Sequence, residues 1–194
     1  NRTDRFNHLI LSSDQFLNLN ENIKPRIKLI YNQDINNSDN IINEDSDSIT
    51  FNYQNSYSDN RFFGTDLREN TSRVVYGFES NFKIKEQVVK INTSQSYDFK
   101  KNNNFSRRLN QDSNLSDLAF EAITNIKGIS LNLDSRIDKK TFGNKELNFG
   151  LHSNIPLDIS LNYHQTSKEA FSNKSNNTEY LSVNLEKELN NNVT

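Results

Sequence analysis

The chain has 194 residues, 32% hydrophobic and 25% charged, with a formal net charge of −2. That balance argues against a general nucleic-acid binder, and the absence of cysteine excludes disulfides and thiolate metal sites. No run reaches the roughly eighteen apolar residues of a membrane-spanning helix, and the start lacks the basic and apolar regions of a signal peptide. So polar a composition suits either a disordered chain or a β-barrel. Periodicity separates the two.

Phe6 to Ser12 forms a first strand candidate with a blurred pattern. From Ile23 the alternation is plain: Ile23, Ile27, Leu29 and Tyr31 share one face, and Lys24, Arg26 and Lys28 the other. Asn32 to Asn70 follows as a long aperiodic segment, so residues 33–70 read as the longest loop. Val74, Tyr76, Phe78, Phe82 and Ile84 then fall on one face, interrupted by Ser80. Arg73, Gly77, Glu79, Asn81, Lys83 and Lys85 fall on the other, together with Val75. A period of two predicts an extended strand with one apolar and one wet face. Similar strands are predicted over Val89–Phe99, Leu118–Ile126, Ile129–Ile137, Leu147–Ile155, Leu157–Tyr163 and Leu181–Leu189. About nine strands result, with no convincing long helix.

The links between them sort by length. Short ones lie near Lys85-Glu86, Lys127-Gly128 and Ile155-Pro156, and longer polar ones over 100–114, 139–144 and 165–178. Short turns at one end and long loops at the other are the signature of an outer-membrane barrel. Tyr31, Tyr76, Tyr97, Phe99 and Tyr163 would stand near the long-loop end of the apolar face, as a membrane-boundary girdle does. Core aromatics of a β-sandwich are the alternative. The other face carries charges and amides on nearly every strand, which a dry core would hold only by wholesale pairing. A hydrated lumen accommodates it, and only a large barrel leaves room for one. The predicted fold is therefore all-β, an antiparallel transmembrane barrel segment. Residues 1–194 read as a fragment of one barrel domain, because nine strands leave two bare edges.

Candidates for chemistry are few. His152 and His164 face the lumen on neighbouring strands and could approach each other, but two ligands make a poor metal site. His152 and Ser153 point to opposite faces, so they form no nucleophile–base pair. The expectation is no enzyme, no cofactor and no metal. The lumen-facing polar set is Arg73, Glu79, Lys83, Lys90, Arg136, His152 and His164. Basic pairs in the long links, such as Lys139-Lys140, read as solvated loop charge.

The long loop itself is aromatic, with Phe51, Tyr53, Tyr57, Phe62 and Phe63, so it is expected to fold back into the lumen. Its end, Asn60-Arg61-Phe62-Phe63-Gly64-Thr65-Asp66, followed by Arg73 and Tyr76-Gly77, resembles the N-R-F-x-G-x-D-R…Y-G signature of the LPS-assembly outer-membrane protein family, LptD. Pro25-Arg26…Tyr31-Asn32-Gln33-Asp34, Asp45-Ser46, Ser94-Gln95-Ser96-Tyr97-Asp98-Phe99 and Leu115-Ser116-Asp117 are similar to further segments of that family. Leu67 replaces the family's usual arginine, and the family's paired cysteines are absent.

The resemblance implies the middle part of a barrel of about twenty-six strands in the outer membrane of a Gram-negative bacterium. An amino-terminal jellyroll and the remaining strands would lie outside this chain. It also implies lipopolysaccharide transport, with insertion into the outer leaflet, and partners in a plug lipoprotein (LptE-like) and a periplasmic bridge protein (LptA-like). A passive porin or siderophore-receptor channel is the alternative. Asn60, Arg61, Phe62, Gly64 and Asp66 are expected to act as a structural latch for the loop, with Arg61 and Asp66 pairing to wall charges such as Glu79 and Lys83.

Overall fold

The computed structural model describes residues 8–17, 20–34, 51–61, 69, 71–100, 113–154, 158–171 and 175–186. Nine strands form one sheet: β1 (His8–Phe16), β2 (Ile23–Asp34), β3 (Ser72–Ile84), β4 (Gln87–Asp98), β5 (Leu118–Ile126), β6 (Ile129–Ile137), β7 (Asn144–Ser153), β8 (Asp158–Thr166) and β9 (Thr178–Glu186). Each strand pairs antiparallel with its sequence neighbour, so the order in space is the order in the chain. The only helix among the described residues is a single turn, α1 (Tyr53–Ser56). It starts where the Asn52 side chain accepts the Asn55 amide at 2.7 Å, an N-cap that needs no longer periodic signal.

The links separate by end. Residues 17–22, 85–86, 127–128 and 154–157 join strands at one end; 35–71, 99–117, 138–143 and 167–177 join them at the other. Lys127 and Gly128 both take positive φ, 50° and 87°, the pairing that matches a two-residue turn to strand twist. No described helix is long and apolar enough to cross a membrane, which leaves strands as the elements that would.

The two faces differ in chemistry as alternation predicts. Tyr76, Phe78, Phe82 and Ile84 of β3 are exposed, as are Ile27, Leu29 and Tyr31 of β2 and Tyr97 and Phe99 at the end of β4. Exposed large side chains in such density mark a surface made for an apolar surrounding. Ser80, the one polar interruption in β3, is almost fully buried and donates to the Ile91 carbonyl at 2.5 Å, so it adds no free polar group to that face. β1 runs over His8–Phe16, past the expected end at Ser12, and Phe6 and Asn7 lie outside the described residues. Its pattern is blurred because Ser13 and Gln15 share the outward rows of Leu29 and Ile27, while Phe16 stacks beneath the Arg26 guanidinium at 4.9 Å.

The buried core lies on the polar face. Ile30, Val75 and Ala119 are its apolar members from the strands, and Phe51, Tyr53 and Tyr57 complete it from the link between β2 and β3. Val75, which alternation alone puts on a wet face, is 0% exposed. Under that link Val75, Ser94 and Ala119 of the polar face are fully buried.

β3 and β4 approach closely at Gly77. A Cβ there would lie 1.9 Å from the Thr93 carbonyl oxygen, a backbone atom that can move only with its strand. At Gly150 a Cβ would meet the Asn132 side chain, which can rotate away. Gly77→Ala is therefore expected to lower the folded yield of the assembled protein, whereas Gly150→Ala leaves it near the parent level. Equal yields for both, measured by heat-modifiable electrophoretic mobility, would show that the close approach at Gly77 is not required.

Candidate functional site

Residues 51–61 lie along the polar face and touch β2 to β6. At its centre Tyr53 donates to Glu79 at 2.5 Å, and Arg26 reaches Glu79 at 3.1 Å and Asp14 at 2.6 Å. The Arg26 guanidinium also lies 4.0 Å from the Tyr57 ring, which meets the Tyr53 ring edge-on at 5.3 Å. Burial pushes the Tyr53 phenol well above its usual range, with Glu79 adding to it; burial raises that of Tyr57 as well. Both rings stay neutral donors. Gln54 donates to Glu121 at 3.3 Å, Asn92 donates to the same carboxylate at 2.7 Å, and the Ser56 and Ser94 hydroxyls meet at 2.5 Å. Lys28 donates to the Tyr57 carbonyl at 2.8 Å and pairs with Asp59 at 2.8 Å.

A closed cluster of four charges holds the far end of this segment. Arg61 donates through Nε to Glu69 and through Nη2 to Asp98 at 3.1 Å, with Nη1 on Ser96 at 3.3 Å. Arg73 donates to the second oxygen of Glu69 and to the Ser58 carbonyl. Arg61, Glu69 and Arg73 are all 0% exposed. Burial pulls the Arg61 guanidinium below its ordinary value while Asp98 pulls it back up. Asn60 accepts the Glu69 amide at 3.1 Å, which places the acid between the two arginines.

The near end rests on a second cluster. Arg136 of β6 pairs with Asp117 at 2.7 Å and Glu146 at 3.5 Å, and donates to the Ala170 carbonyl at 2.8 Å. Its guanidinium stands 5.9 Å from the rings of both Phe51 and Phe171. Lys145 joins in, with Asp117 at 3.1 Å and Asp138 at 2.7 Å. Burial works against ionisation of Asp138, yet Lys145 and the Thr141 and Lys140 amides hold its carboxyl far below the usual range. Lys139, half of a basic pair read as solvated, instead donates to the Leu115 carbonyl at 2.6 Å.

The latch residues Phe62, Gly64 and Asp66 lie outside the described residues, as do 35–50 of the long link. Of the latch, Asn60 and Arg61 are placed, and the partners of Arg61 are Glu69 and Asp98. Glu79 is engaged by Arg26 and Tyr53 instead. The register explains this: Glu79 sits opposite Asn92, whereas Asp98 lies opposite Arg73 at the end where the segment leaves.

Arg73 and Arg136 are on the polar face but shielded from water, whereas Lys83, Lys90 and His152 are exposed there. His152 and His164 do not approach each other. His152 sits opposite Ser160 and faces Asp158 at 3.5 Å, while His164 sits opposite Asn148 and bonds to it and to Thr166. Among the described residues no group of His, Asp and Glu side chains is placed to hold a metal ion. Glu69 and Asp117 are the functional partners that alternation misses. Alternation sets Asp98 on the polar face without its partner, Asp117 stood only inside a family-like segment, and nothing local marks Glu69.

A family model described as LPS transport system D matches residues 11–193. The chain belongs to that family. The match covers the whole described sheet but for the start of β1, and LPS transport system D proteins are outer-membrane proteins, which suits strands with one apolar and one polar face. No curated protein matches the chain.

Breaking one side of a buried pair leaves its partner charged and unsolvated, at a cost of about 3–5 kcal/mol. Glu69→Gln strips a shared carboxylate from two buried arginines and is expected to ease opening around Arg61 by about that amount. Asp14→Asn, whose pair with Arg26 is partly exposed, should matter by about 1 kcal/mol or less. Tryptic cleavage after Arg61 under native conditions measures the difference. Equal rates in the two variants would mean that the cluster does not hold the segment.

Proposed function

We propose that this chain is a section of barrel wall in a translocon that carries lipopolysaccharide through the outer membrane and inserts it into the outer leaflet. The exposed apolar face of the sheet lies in lipid, and the polar face lines a lumen. β1 and β9 then pair with further strands of the same barrel, since a bare edge inside a bilayer leaves backbone groups without partners. The family membership supports this reading over a passive porin or siderophore receptor. A plug lipoprotein and a periplasmic bridge protein are the partners it calls for.

One observation carries the mechanism: residues 51–61 are seated on the polar face by charge pairs and neutral polar contacts, not by a large apolar patch. Asn60 to Asp66 is thus a latch that keeps the link between β2 and β3 inside the lumen. No bond is made or broken in such a protein; it works by shape and electrostatics. Where the segment covers β4 and β5, the lumen wall is closed. Along β7 to β9 the same face presents Asn148, Ser160, Asn162, Ser182 and Asn184, amides and hydroxyls suited to the sugar hydroxyls of a glycolipid whose acyl chains remain in the bilayer.

Cysteine at Phe82 or Lys83 tests the orientation. In protein reconstituted in lipid nanodiscs, a water-soluble thiol reagent should label Lys83→Cys and spare Phe82→Cys. Equal labelling would end the lipid and lumen assignment. A photocrosslinker at Asn162 in the cell should capture lipopolysaccharide; capture only from outward positions such as Phe82 would refute a sugar path along the polar face.

The latch has its own test. Arg61→Ala or Gly64→Val is expected to make the outer membrane leaky to large antibiotics and the segment open to protease. If both variants keep normal permeability and protease protection, the latch is wrong.

A further inference from the structure

The charge cluster at Arg136 does more than seat one segment. Through its polar contacts and two flanking rings, this one guanidinium touches groups from three different links. Phe51 comes from the link after β2, Asp117 from that after β4, and Ala170 with Phe171 from that after β8. The fourth link at that end enters through Asp138, which pairs with Lys145 of β7, and Lys145 shares Asp117 with Arg136. Ala170 is fully buried and Phe171 packs against the small core that holds Phe51. The cluster contains three acids, Asp117, Asp138 and Glu146, whose charges Arg136 and Lys145 answer from the sheet. None of these links therefore closes its own share of the cluster.

We propose that Arg136 is a positioning residue that makes all the links at this end a single cover, so that loosening one loosens the others. The proposal rests on the reading of residues 51–61 as a latched lumen segment and extends it to the remaining links. The physical reason is that the charge stays when a partner leaves. A guanidinium cannot be deprotonated, so once Phe51 withdraws and water enters, the pair with Asp117 and the bond to Ala170 weaken in the higher dielectric. Coupling of this kind is a two-state property, in which each contact biases the same open or closed arrangement.

The experiment reads one link while another is altered. A nitroxide at Lys168→Cys in the intact, reconstituted protein reports the link after β8, and Lys168 is exposed, so the label displaces nothing buried. Phe51→Ala and Asp117→Asn, neither within fifty residues of the label, are each expected to speed its motion by roughly twofold or more. Phe51→Tyr should restore the parent spectrum.

Unchanged motion at 168 in Phe51→Ala, with a label at Gln54→Cys loosened, would overturn the proposal, because the segment would then move alone. A label at Lys127→Cys in the far turn monitors assembly. If it too is altered in Phe51→Ala, Phe51→Leu decides instead: it keeps bulk but removes the ring, and an unchanged label at 168 again overturns the coupling. Failure of the underlying reading looks different. A label at Phe78→Cys relaxed by a water-soluble nickel complex and not by oxygen would remove the membrane and lumen assignment, whatever the label at 168 does.

Discussion

A buried guanidinium keeps its charge, and the rest of this structure is arranged around that constraint. Arg61, Arg73 and Arg136 are each at most 1% exposed. For all three, the sheet and its links supply carboxylates within contact distance: Glu69 and Asp98 for the first pair, Asp117 and Glu146 for the third. Such pairs are not by themselves a source of great stability, since desolvation consumes most of the Coulomb gain. Their effect is discrimination. The apolar core under residues 51–61 contains only three strand side chains, too few to fix where an aromatic segment lies along a sheet. A cluster of four charges closes only in one arrangement, so it sets the position that apolar contact leaves open.

The sheet distributes two kinds of demand between its faces. On the outward face any side chain that is apolar and β-forming suffices, and Tyr76, Phe78 and Phe82 follow one another there without specific partners beyond the Tyr76 hydroxyl on Gln95. On the polar face each group has an individual solution. The row Glu79, Asn92, Glu121, Asp134, Asn148 and His164 runs straight across six strands. Glu121 and Asp134, like charges directly opposite each other, would be unfavourable alone. Gln54 from the covering segment and Asn92 from β4 both donate to Glu121, which links the seat of the segment to the least comfortable pair on the wall.

The strands, their order, the sorting of links by end and the side to which most residues point were legible because a period of two is a local signal. Pairing was not. Arg61 meets Asp98 and Arg136 meets Asp117 because of inter-strand register and the path of a long link, neither of which leaves a trace within a few residues. Expecting Arg61 to face a wall charge such as Glu79 set the end of the long link over the middle of β3, whereas it lies where β3 begins and β4 ends, beside Asp98. The histidines failed as neighbours for the same reason: adjacent strands and a shared face still leave His152 and His164 four register positions apart. Val75 was read as wet because nothing in alternation announces a lid. α1 escaped because one helical turn is shorter than any periodicity, although Asn52 as a capping residue was there to be read. The family-like segments did better on function than on geometry, catching Arg61, Arg73, Asp98 and Asp117 without saying that they touch.

A cover held by desolvated charges behaves differently from one held by apolar contact. Apolar adhesion weakens gradually, in proportion to the area uncovered. The strength of a charge pair depends on what surrounds it, falling about twentyfold between a dry interior and bulk water. The first water to reach Glu69 or Asp117 therefore weakens the contacts that excluded the second. Residues 51–61 have one such cluster at each end, so the segment is firm while both ends are dry and has little to hold it once they are wet. In the proposed translocon, where the wall would exclude small solutes yet give way to a hydrated glycan, that steepness is the useful property, and it follows from burying charge where a soluble protein would have buried leucine.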